Sequence, residues 1–486
     1  MITRRRFLVG SAVSGATTIA AFTQGLKFAS ATSSDKVSVQ LSANALDNIH
    51  PVNLKCEYLT NPEGIDMQAP RFFWQLASTE ADQSQKRYQL LVATTTAKLN
   101  NNIGDAFDSG QVSSNSNTHV VYEGRRLNPA SQYYWKVRVW DKNVSASNWS
   151  EIATFSTGLF ESNDWKGAEW IAWKTQEEWE KDWWQRKAIE EQTHQISLPS
   201  YFGARMSLWE RYLFHYANQY DPAPLLRQEF TTKKSVKSAK AFVAGIGYHE
   251  LYLNGDKVGD HVLDPGWTNY SQSILYVTHD ITENIQQGRN AVGVMLGRGN
   301  YGLLANDHWG FWKKGGYIGQ PKLKCLLKIT YFDGSEEFIV SGLNWKVTGG
   351  PVVYDCPHMG EIYDATKEVD RWNQAGIDDA SWDQVKPAPD PGGKLKSQLC
   401  EPIRVVNTFK PIYIQNKGKR WGQWGDAGTN LAGWIRLKVN APKGTRILIY
   451  FGEKKNALDS TQPGGLQQMA YIAKGEANEI AECRFS

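Results

Sequence analysis

Polar and apolar residues alternate along most of the chain, in short runs that end at turn residues. Between residues 70 and 158 such runs occupy Arg71–Leu76, Tyr88–Ala93 and Tyr133–Asp141. Because successive side chains of a β-strand point to opposite faces, this period of two predicts strands that are buried on one side. Their length and spacing predict that residues 45–160 form a single sandwich of the fibronectin type III or immunoglobulin type.

The same pattern returns in two later regions of the chain. Residues 225–390 contain predicted strands at Ala241–Ala244 and Glu250–Leu253, and Asn254–Asp256 has the residues of a tight hairpin turn. Residues 400–486 alternate again. The two regions predict a second and a third β-module, and the sequence contains no helical repeat, coiled coil or glycine-rich phosphate loop.

Residues 161–224 interrupt the β pattern and form a predicted linker. Two stretches within it, Glu177–Lys187 and Arg205–Tyr216, have the composition of helices and contain many aromatic residues. We expect these helices to pack on a neighbouring domain, and Pro222 and Pro224 end the segment. The predicted fold class is therefore mainly β, with tandem sandwich modules and a short helical insertion.

The first 31 residues have the organisation of an export signal. Arg4–Arg6 precede an uncharged stretch at Phe7–Gly25, and Ala29–Ala31 matches a small-residue cleavage site. The paired arginines resemble a twin-arginine signal, which predicts a periplasmic or extracellular protein. The alternative is an uncleaved membrane anchor, but the stretch is short and rich in Gly, Ala, Ser and Thr. We therefore expect no membrane association after cleavage of the signal.

Charge and composition narrow the range of functions. The formal net charge is +4, and the four cations Arg4, Arg5, Arg6 and Lys27 all lie in the predicted signal, so the rest of the chain is neutral. This balance argues against nucleic acid as a partner. The chain is rich in aromatic residues, with 20 Trp, 21 Tyr and 18 Phe. Such rings fill the cores of β-sandwiches, and exposed rings can cover the apolar face of a sugar.

The cysteines and histidines give no recognisable motif. No two cysteines are spaced as C-x-x-C, so a cysteine-based zinc or redox motif has no support. Either one disulfide or a set of buried thiols is compatible with their spread, at Cys56, Cys325, Cys356, Cys400 and Cys483. There is no G-x-S-x-G motif of a serine hydrolase. His249 lies inside a predicted strand, where we expect a hydrogen-bonded core or edge residue rather than a ligand.

Several stretches together resemble the N-terminal half of bacterial α-L-rhamnosidases of glycoside hydrolase family 78. The stretches in the first two modules are Asn61–Asp66, Pro70–Trp74, Gly247–Gly255 and Asp264–Tyr270. Later ones are Gly360–Ala365 and the block that contains Asp426, Gly428, Asn430, Gly433 and Trp434. The resemblance implies a fibronectin-III-like sandwich, then a jelly-roll or carbohydrate-binding-like sandwich, then a partial third β-module.

In that family an (α/α)6 barrel follows these modules and carries the catalytic carboxylates. The enzymes invert configuration, which requires a carboxylic acid and a carboxylate about 6.5–9.5 Å apart. This sequence ends at Ser486, before such a barrel could begin, so we expect a shortened polypeptide without catalytic residues of its own. Glu361 and Asp364 lie close together, but their Gly-Glu-x-Tyr-Asp pattern is interpreted as structural or inter-domain.

Sugar binding is the activity that the resemblance leaves to these modules. Some family members hold L-rhamnose on the module after the first sandwich, in some cases with calcium, which prefers Asp, Asn and carbonyl oxygens. The candidates for carbohydrate binding are Asp264, Trp267, Asn269, Arg298, Asn300, Tyr301 and Trp309, and those for calcium are Asn306 and Asp307. The structural alternatives are a packed turn at Asp264–Trp267 and a solvated surface charge at Arg298.

Three functions are compatible with this sequence. The first is an exported α-L-rhamnosidase-family protein, shortened and non-catalytic, that acts on rhamnose-containing poly- or oligosaccharides. The second is a lectin-like accessory protein that binds rhamnose. The third is a scaffold that pairs with a separately encoded catalytic chain.

Overall fold

Three β-modules make up the part of the chain that is described, as the alternation of polar and apolar residues predicts. The computed structural model covers residues 6–10, 49–183, 185, 221–302, 319–357, 360–416, 423–452 and 468–485. Within these ranges no helix is both long enough and apolar enough to cross a membrane. The first strand, β1 (Arg6–Gly10), belongs to the third module.

The first module is a sandwich of a three-stranded and a five-stranded sheet. Large rings fill its core: Trp135 packs against Phe72 at a centroid distance of 4.6 Å, and Tyr133 stacks on Phe155 at 5.3 Å. Its elements are β2 (His50–Cys56), β3 (Arg71–Ala77), β4 (Arg87–Ala93), α1 (Thr96–Asn100), β5 (Phe107–Asp108), β6 (Val112–Ser113), β7 (Val120–Val121), β8 (Gln132–Trp140) and β9 (Ala153–Ser156).

The linker packs on the central module through Trp165 and Trp170, which precede the predicted helical stretches. It contains a 3-10 helix at Ser162–Trp165, β10 (Ile171–Ala172) and the helix α2 at 176–183. Helix α2 lies where the first helical stretch was predicted, whereas the second, Arg205–Tyr216, falls outside the described residues. Tyr276 of the central module fixes the start of the linker, because its Oη accepts a hydrogen bond from the backbone N–H of Leu159 at 2.8 Å.

The central module is a sandwich of two larger sheets. The seven-stranded sheet contains β10 together with β12 (Val236–Ile246), β15 (Ser273–Asp280), β17 (Lys322–Tyr331), β18 (Glu336–Val340), β23 (Lys386–Pro387) and β24 (Lys394–Ser397). The six-stranded sheet contains β11 (Pro224–Thr232), β13 (Tyr248–Leu253), β14 (Asp256–Lys257), β16 (Gly288–Gly297), β19 (Lys346–Gly349) and β22 (Asp383–Gln384). A short 3-10 helix at Thr282–Asn284 connects β15 to β16.

Both outer faces of the central sandwich are covered as well as its inner faces. Phe242 and Tyr276 pack against the aromatic side chains of the linker. Leu225 and Met295 pack against the third module on the opposite side. A strand that is covered on both faces needs apolar residues at consecutive positions. Strand β16 accordingly loses the period of two, and Ala291–Leu296 is buried throughout.

The third module takes strands from three separate parts of the sequence. Its elements are β1, β20 (Val352–Cys356), β21 (Gly360–Asp364), a 3-10 helix at Ala365–Lys367, β25 (Tyr413–Asn416), β26 (Gln423–Asp426), β27 (Arg436–Val439), β28 (Arg446–Gly452), β29 (Gln468–Ile472) and β30 (Glu479–Glu482). The main sheet has the order β20-β21-β29-β28-β1-β26-β25, and β27 pairs with β30. The predicted boundary near residue 390 therefore does not separate the sheets, because β20 and β21 pair into this one.

Strand β1 fills a position between two antiparallel neighbours. Its Leu8 lies opposite Trp424 of β26 on one side and Tyr450 of β28 on the other. The sequence assigns these residues to an export signal, and their backbone here forms a strand. Loss of residues 1–31 would leave the facing edges of β26 and β28 without this partner.

A buried arginine ties the central module to the segment that leads into β22. The Arg227 side chain is only 1% exposed; its Nη1 donates to Asp379, and its Nη2 donates to Glu229 Oε1 and to the carbonyl oxygen of Gln374, both at 2.8 Å. A guanidinium group at this depth needs such partners, because removing a charge from water is costly.

Replacing Arg227 by methionine is expected to destabilise the protein. Asp379 and Glu229 each lose one partner, keep Lys346 and Arg289 respectively, and stay partly solvated. We therefore expect a loss of about 2 kcal/mol in the free energy of unfolding. The measurement is urea unfolding followed by tryptophan fluorescence. Arg126→Met is the matched control, because Arg126 and Glu161 form an exposed ion pair, and its effect should stay within about 0.5 kcal/mol. Equal effects of the two substitutions would contradict the role of Arg227.

Candidate functional site

The predicted sugar-binding residues lie on two neighbouring segments of the central module. Asp264, Trp267 and Asn269 lie on the loop between β14 and β15, and Arg298–Tyr301 directly follow β16. The rings of Tyr270 and Tyr301 meet edge to face at a centroid distance of 5.2 Å, which brings the two segments together. The remaining candidates lie outside the described residues: Trp309 for the sugar, and Asn306 and Asp307 for calcium.

Trp267 is the aromatic side chain that this loop presents to solvent. The residue is 56% exposed, while the backbone on either side of it is anchored. Gln398 accepts a hydrogen bond from the N–H of Gly266 at 2.7 Å and donates one to Asp264 Oδ1 at 3.2 Å. An exposed indole on a fixed loop offers a flat apolar surface of the kind that covers a sugar ring.

The polar candidates are mostly engaged in contacts within the protein. Asp264 is buried, and Asn269 Oδ1 accepts a hydrogen bond from Ser271 Oγ at 2.7 Å inside its own turn. Arg298 is buried rather than a solvated surface charge: its Nη2 donates to the carbonyl oxygen of Asp221 at 2.7 Å, and its backbone N–H donates to Asp355 at 2.6 Å. Asn300 is buried beside it.

A buried lysine lies beneath Tyr301. The Lys322 Nζ atom is 5.5 Å from the centre of the Tyr301 ring and donates to the carbonyl oxygen of Pro389 at 3.2 Å. Burial lowers the pKa of Lys322 to about 8. The ammonium group therefore stays mostly charged at neutral pH and places a positive charge behind the aromatic side chains of this segment.

A cluster of histidine and carboxylate groups adjoins the Trp267 loop. His261 Nδ1 lies 2.7 Å from Asp264 Oδ2, and the His279 ring lies at a centroid distance of 5.4 Å from that of His261. One ligand atom of each of His261, Asp264 and His279 lies within 4.8 Å of the others. Burial by itself raises the pKa of Asp264, but the hydrogen bond from His261 and the other nearby histidines bring it below its usual value.

His249 and His279 point into the core between the two central sheets. His249 shares its strand face with Leu251 and Leu253, and His279 lies opposite Ala241; all three of these neighbours belong to the aliphatic core. Neither ring nitrogen of His249 has a hydrogen-bond partner, nor has Nε2 of His279. The expectation of a hydrogen-bonded His249 is therefore wrong, although its burial is confirmed.

Unpartnered nitrogens in such a place carry an energetic cost. A buried polar group without a hydrogen bond costs about 1–3 kcal/mol. Burial also lowers the pKa of His249 to about 4 and that of His279 to about 3, so both imidazoles are neutral at pH 7. A neutral imidazole has a lone pair on one nitrogen, which is the form that binds metals. Sequence analysis did not single out His261 or His279, since they match no local spacing motif.

Glu361 and Asp364 have structural contacts, in agreement with their interpretation from sequence. The Glu361 carboxylate accepts hydrogen bonds from the backbone N–H groups of Arg484 and Phe485, at 2.7–3.0 Å. Asp364 caps the 3-10 helix that follows it, through the N–H of Thr366 at 3.0 Å. Glu361 thus fastens β21 to the last described residues rather than facing a cleft.

Three family models match consecutive parts of the chain. Residues 51–161 match the Rha78A-like N-terminal immunoglobulin domain. Residues 234–407 match the alpha-L-rhamnosidase N-terminal domain, and residues 424–486 match the bacterial alpha-L-rhamnosidase concanavalin-like domain. These matches correspond in order to the three β-modules.

Two relatives align with most of this chain. An alpha-L-rhamnosidase of Formosa agariphila is 34% identical over 445 residues, which are 88% of this chain and 44% of the relative. One of Alteromonas sp. is 29% identical over 417 residues, 85% of this chain and 41% of the relative. The chain thus spans less than half the length of these two relatives.

Two solved structures also superpose on most of this chain. An alpha-L-rhamnosidase structure from Dictyoglumus thermophilum superposes with a TM-score of 0.74 at 36% identity, over 91% of this chain and 46% of that chain. A Streptomyces avermitilis alpha-L-rhamnosidase complexed with L-rhamnose has the same fold, with a TM-score of 0.72 at 22% identity, over 90% of this chain and 55% of that chain.

The buried Glu361 should make stability depend on pH. Burial raises its pKa to about 8, against the lowering effect of the Phe485 and Arg484 amides, so the folded protein binds a proton that the unfolded chain releases above about pH 4.5. Stability from this group is therefore complete below pH 4.5 and is lost as the pH rises to about 8, with a slope of up to about 1.4 kcal/mol per pH unit.

Glu361→Gln mimics the protonated carboxyl group at every pH and should remove this contribution. The measurement is the thermal unfolding midpoint from pH 5 to pH 9, with Glu161→Gln at an exposed carboxylate as the control. A residual slope is expected from Asp355, whose pKa is also raised by burial. An unchanged slope in Glu361→Gln would show that Glu361 is charged in the folded protein.

Proposed function

Because the chain belongs to the α-L-rhamnosidase family and carries its N-terminal domains, we propose that it acts on rhamnose-containing glycans. Its contribution is to bind the sugar at the loop face of the central module, where Trp267 and the Tyr301 segment meet. The exposed indole of Trp267 on a loop anchored by Gln398 is the observation that carries this proposal.

The chemistry of these side chains supports sugar binding. The Trp267 ring can cover the apolar face of L-rhamnose, whose methyl group enlarges that face, while backbone and side-chain polar groups bind the hydroxyls. The Streptomyces avermitilis relative was solved with L-rhamnose, which supports the choice of this sugar for the first binding experiment. Calcium stays a prediction, because Asn306 and Asp307 lie outside the described residues.

Hydrolysis of an α-L-rhamnoside needs an acid and a base on either side of the glycosidic bond. Among the described residues, Asp355 and Glu361 lie opposite each other on β20 and β21, but both are buried and hold backbone N–H groups. We therefore propose that hydrolysis depends on carboxylates other than these, and that the described modules bind and position the glycan.

A scaffold function is the second candidate, and one surface favours it. Residues 403–414 expose a row of apolar side chains, among them Val406, which is 94% exposed: Ile403, Val405, Val406, Phe409, Ile412 and Ile414. Exposed apolar side chains grouped on one segment favour a contact with other protein. Such a contact would join the sugar-binding module to a catalytic domain, on the same or a separate chain, whereas a lectin-like accessory protein has no need of it.

We also propose that the protein is exported. The basic start at Arg4–Arg6 and the uncharged stretch after it support a twin-arginine signal, and hence a periplasmic or extracellular place of action. Glycans rich in rhamnose are met outside the cytoplasm, so this location agrees with the proposed ligand.

Titration of the purified chain with L-rhamnose tests the proposed binding face. Trp267→Ala should weaken binding by about 2- to 10-fold, because a ring stacked on the sugar contributes about 0.5–1.5 kcal/mol. Phe332→Ala is the matched control, since Phe332 is an exposed ring on a turn elsewhere in the central module. Isothermal titration calorimetry, with and without a calcium chelator, measures the affinity of each protein for L-rhamnose. Equal affinities in all three proteins would exclude Trp267 from the site.

Incubation with p-nitrophenyl α-L-rhamnoside separates binding from hydrolysis. A folded chain that binds L-rhamnose without releasing nitrophenol agrees with the proposal. Release of nitrophenol would assign the hydrolytic carboxylates to this chain, and absence of rhamnose binding would favour the scaffold function.

A further inference from the structure

Two imidazoles and one carboxylate meet at the edge of the central sandwich. His279 comes from β15 of the seven-stranded sheet, whereas His261 and Asp264 come from the loop that follows β14 of the six-stranded sheet. The loop therefore crosses from one sheet to the other at this point. His279 is 7% exposed and its Nε2 has no hydrogen-bond partner, although it lies among other polar groups.

The spacing of these groups is close to that of a metal site. A zinc ion with bonds of about 2.0–2.1 Å in tetrahedral geometry holds its ligand atoms about 3.3 Å apart. The ligand atoms of His261, Asp264 and His279 lie within 4.8 Å of one another, and the His261–Asp264 pair is 2.7 Å apart. Side-chain movements of up to about 1.5 Å bring the ligand atoms to this separation.

The donor atoms favour zinc over calcium and magnesium. Imidazole nitrogen and carboxylate oxygen are ligands of zinc, whereas calcium and magnesium prefer sites made of oxygen alone. We propose that His261, Asp264 and His279 bind a zinc ion that joins the two sheets of the central module to the Trp267 loop. This inference does not depend on the proposed function, since it concerns metal binding alone.

His249 is the candidate for the fourth ligand. It lies on β13 and pairs with Asp264 across a β-bridge, in which its N–H donates to the Asp264 carbonyl oxygen at 2.7 Å. Both of its ring nitrogens are buried without a partner. With His249 the site would have three imidazoles and one carboxylate, four ligands that leave no open position on zinc. His249 is not among the residues whose ligand atoms lie within 4.8 Å of one another, so its ring must move toward the ion.

Of the neighbouring side chains, one favours zinc binding and another opposes it. Gln398 donates to Asp264 Oδ1 and so orients the carboxylate, as a partner of a metal ligand does. Arg404 Nη2 lies 3.0 Å from His261 Nε2, and its Nε is paired with Asp260 at 2.8 Å. Coordination through His261 Nδ1 places the proton on Nε2, so Arg404 must release His261 while it keeps Asp260.

Zinc titration of the full chain tests this site. Protein freed of metal with a chelator is titrated with zinc chloride in a calorimeter, and we expect one saturable high-affinity site that calcium chloride does not reproduce. His261→Gln is the main variant because His261 is only partly buried, and Asp264→Asn removes the carboxylate charge with little change of shape. Each should weaken zinc binding by at least about tenfold, while His50→Gln, in the first module, should not.

Arg404→Gln is expected to have the opposite effect on zinc affinity. It removes the positive charge that competes for His261, so it should tighten zinc binding. Cobalt(II) added in place of zinc should give the visible absorption of a tetrahedral site in the original protein and lose it in His261→Gln. Circular dichroism establishes that each variant is folded.

Two results would overturn the proposal. One is the absence of saturable zinc binding by the folded original chain. The other is binding that His261→Gln, Asp264→Asn and His50→Gln change equally, since the ion would then lie elsewhere on the chain.

Discussion

Burial of the central sandwich on all of its faces is the constraint on which the rest of the structure depends. Its inner faces pack on each other, while Tyr276 and Met295 mark outer faces that the linker and the third module cover. A strand in this position presents mostly apolar residues, as Ala291–Leu296 does. Arg227, His249 and His279 are buried polar exceptions on these strands, whereas most of the candidate sugar-binding residues lie on loops.

Buried charges at the boundaries between modules are paired across those boundaries. Lys240 of the central sheet forms an ion pair with Glu63 of the first module at 2.6 Å, and Asp66 of the first module accepts the backbone N–H of Ser397 at 2.8 Å. Within the third module, Glu361 of β21 likewise accepts a backbone N–H of the last described residues. Partners of this kind fix the relative position of modules more specifically than apolar contact alone, because each group must find its own counterpart.

The loop after β14 combines the two proposed sites. It carries Trp267 toward solvent and His261 and Asp264 toward the sheets, so a zinc ion on the inner side would hold the sugar-binding ring on the outer side. The sequence predicts both Trp267 and Asp264 as candidates for sugar binding. Sequence analysis missed His279, because a histidine on an ordinary strand carries no local signal of the groups that it meets across the sandwich.

The sequence by itself determined that the protein is mainly β, because the period of two follows from strand geometry whatever the partner strand is. It also located the Asn254–Asp256 turn, which β13 and β14 flank. Only the tertiary structure decided which strands share a sheet, such as β21 with β29. It alone brought His261, Asp264 and His279 together, since contacts between separate sheets depend on packing and loop course rather than on spacing along the chain.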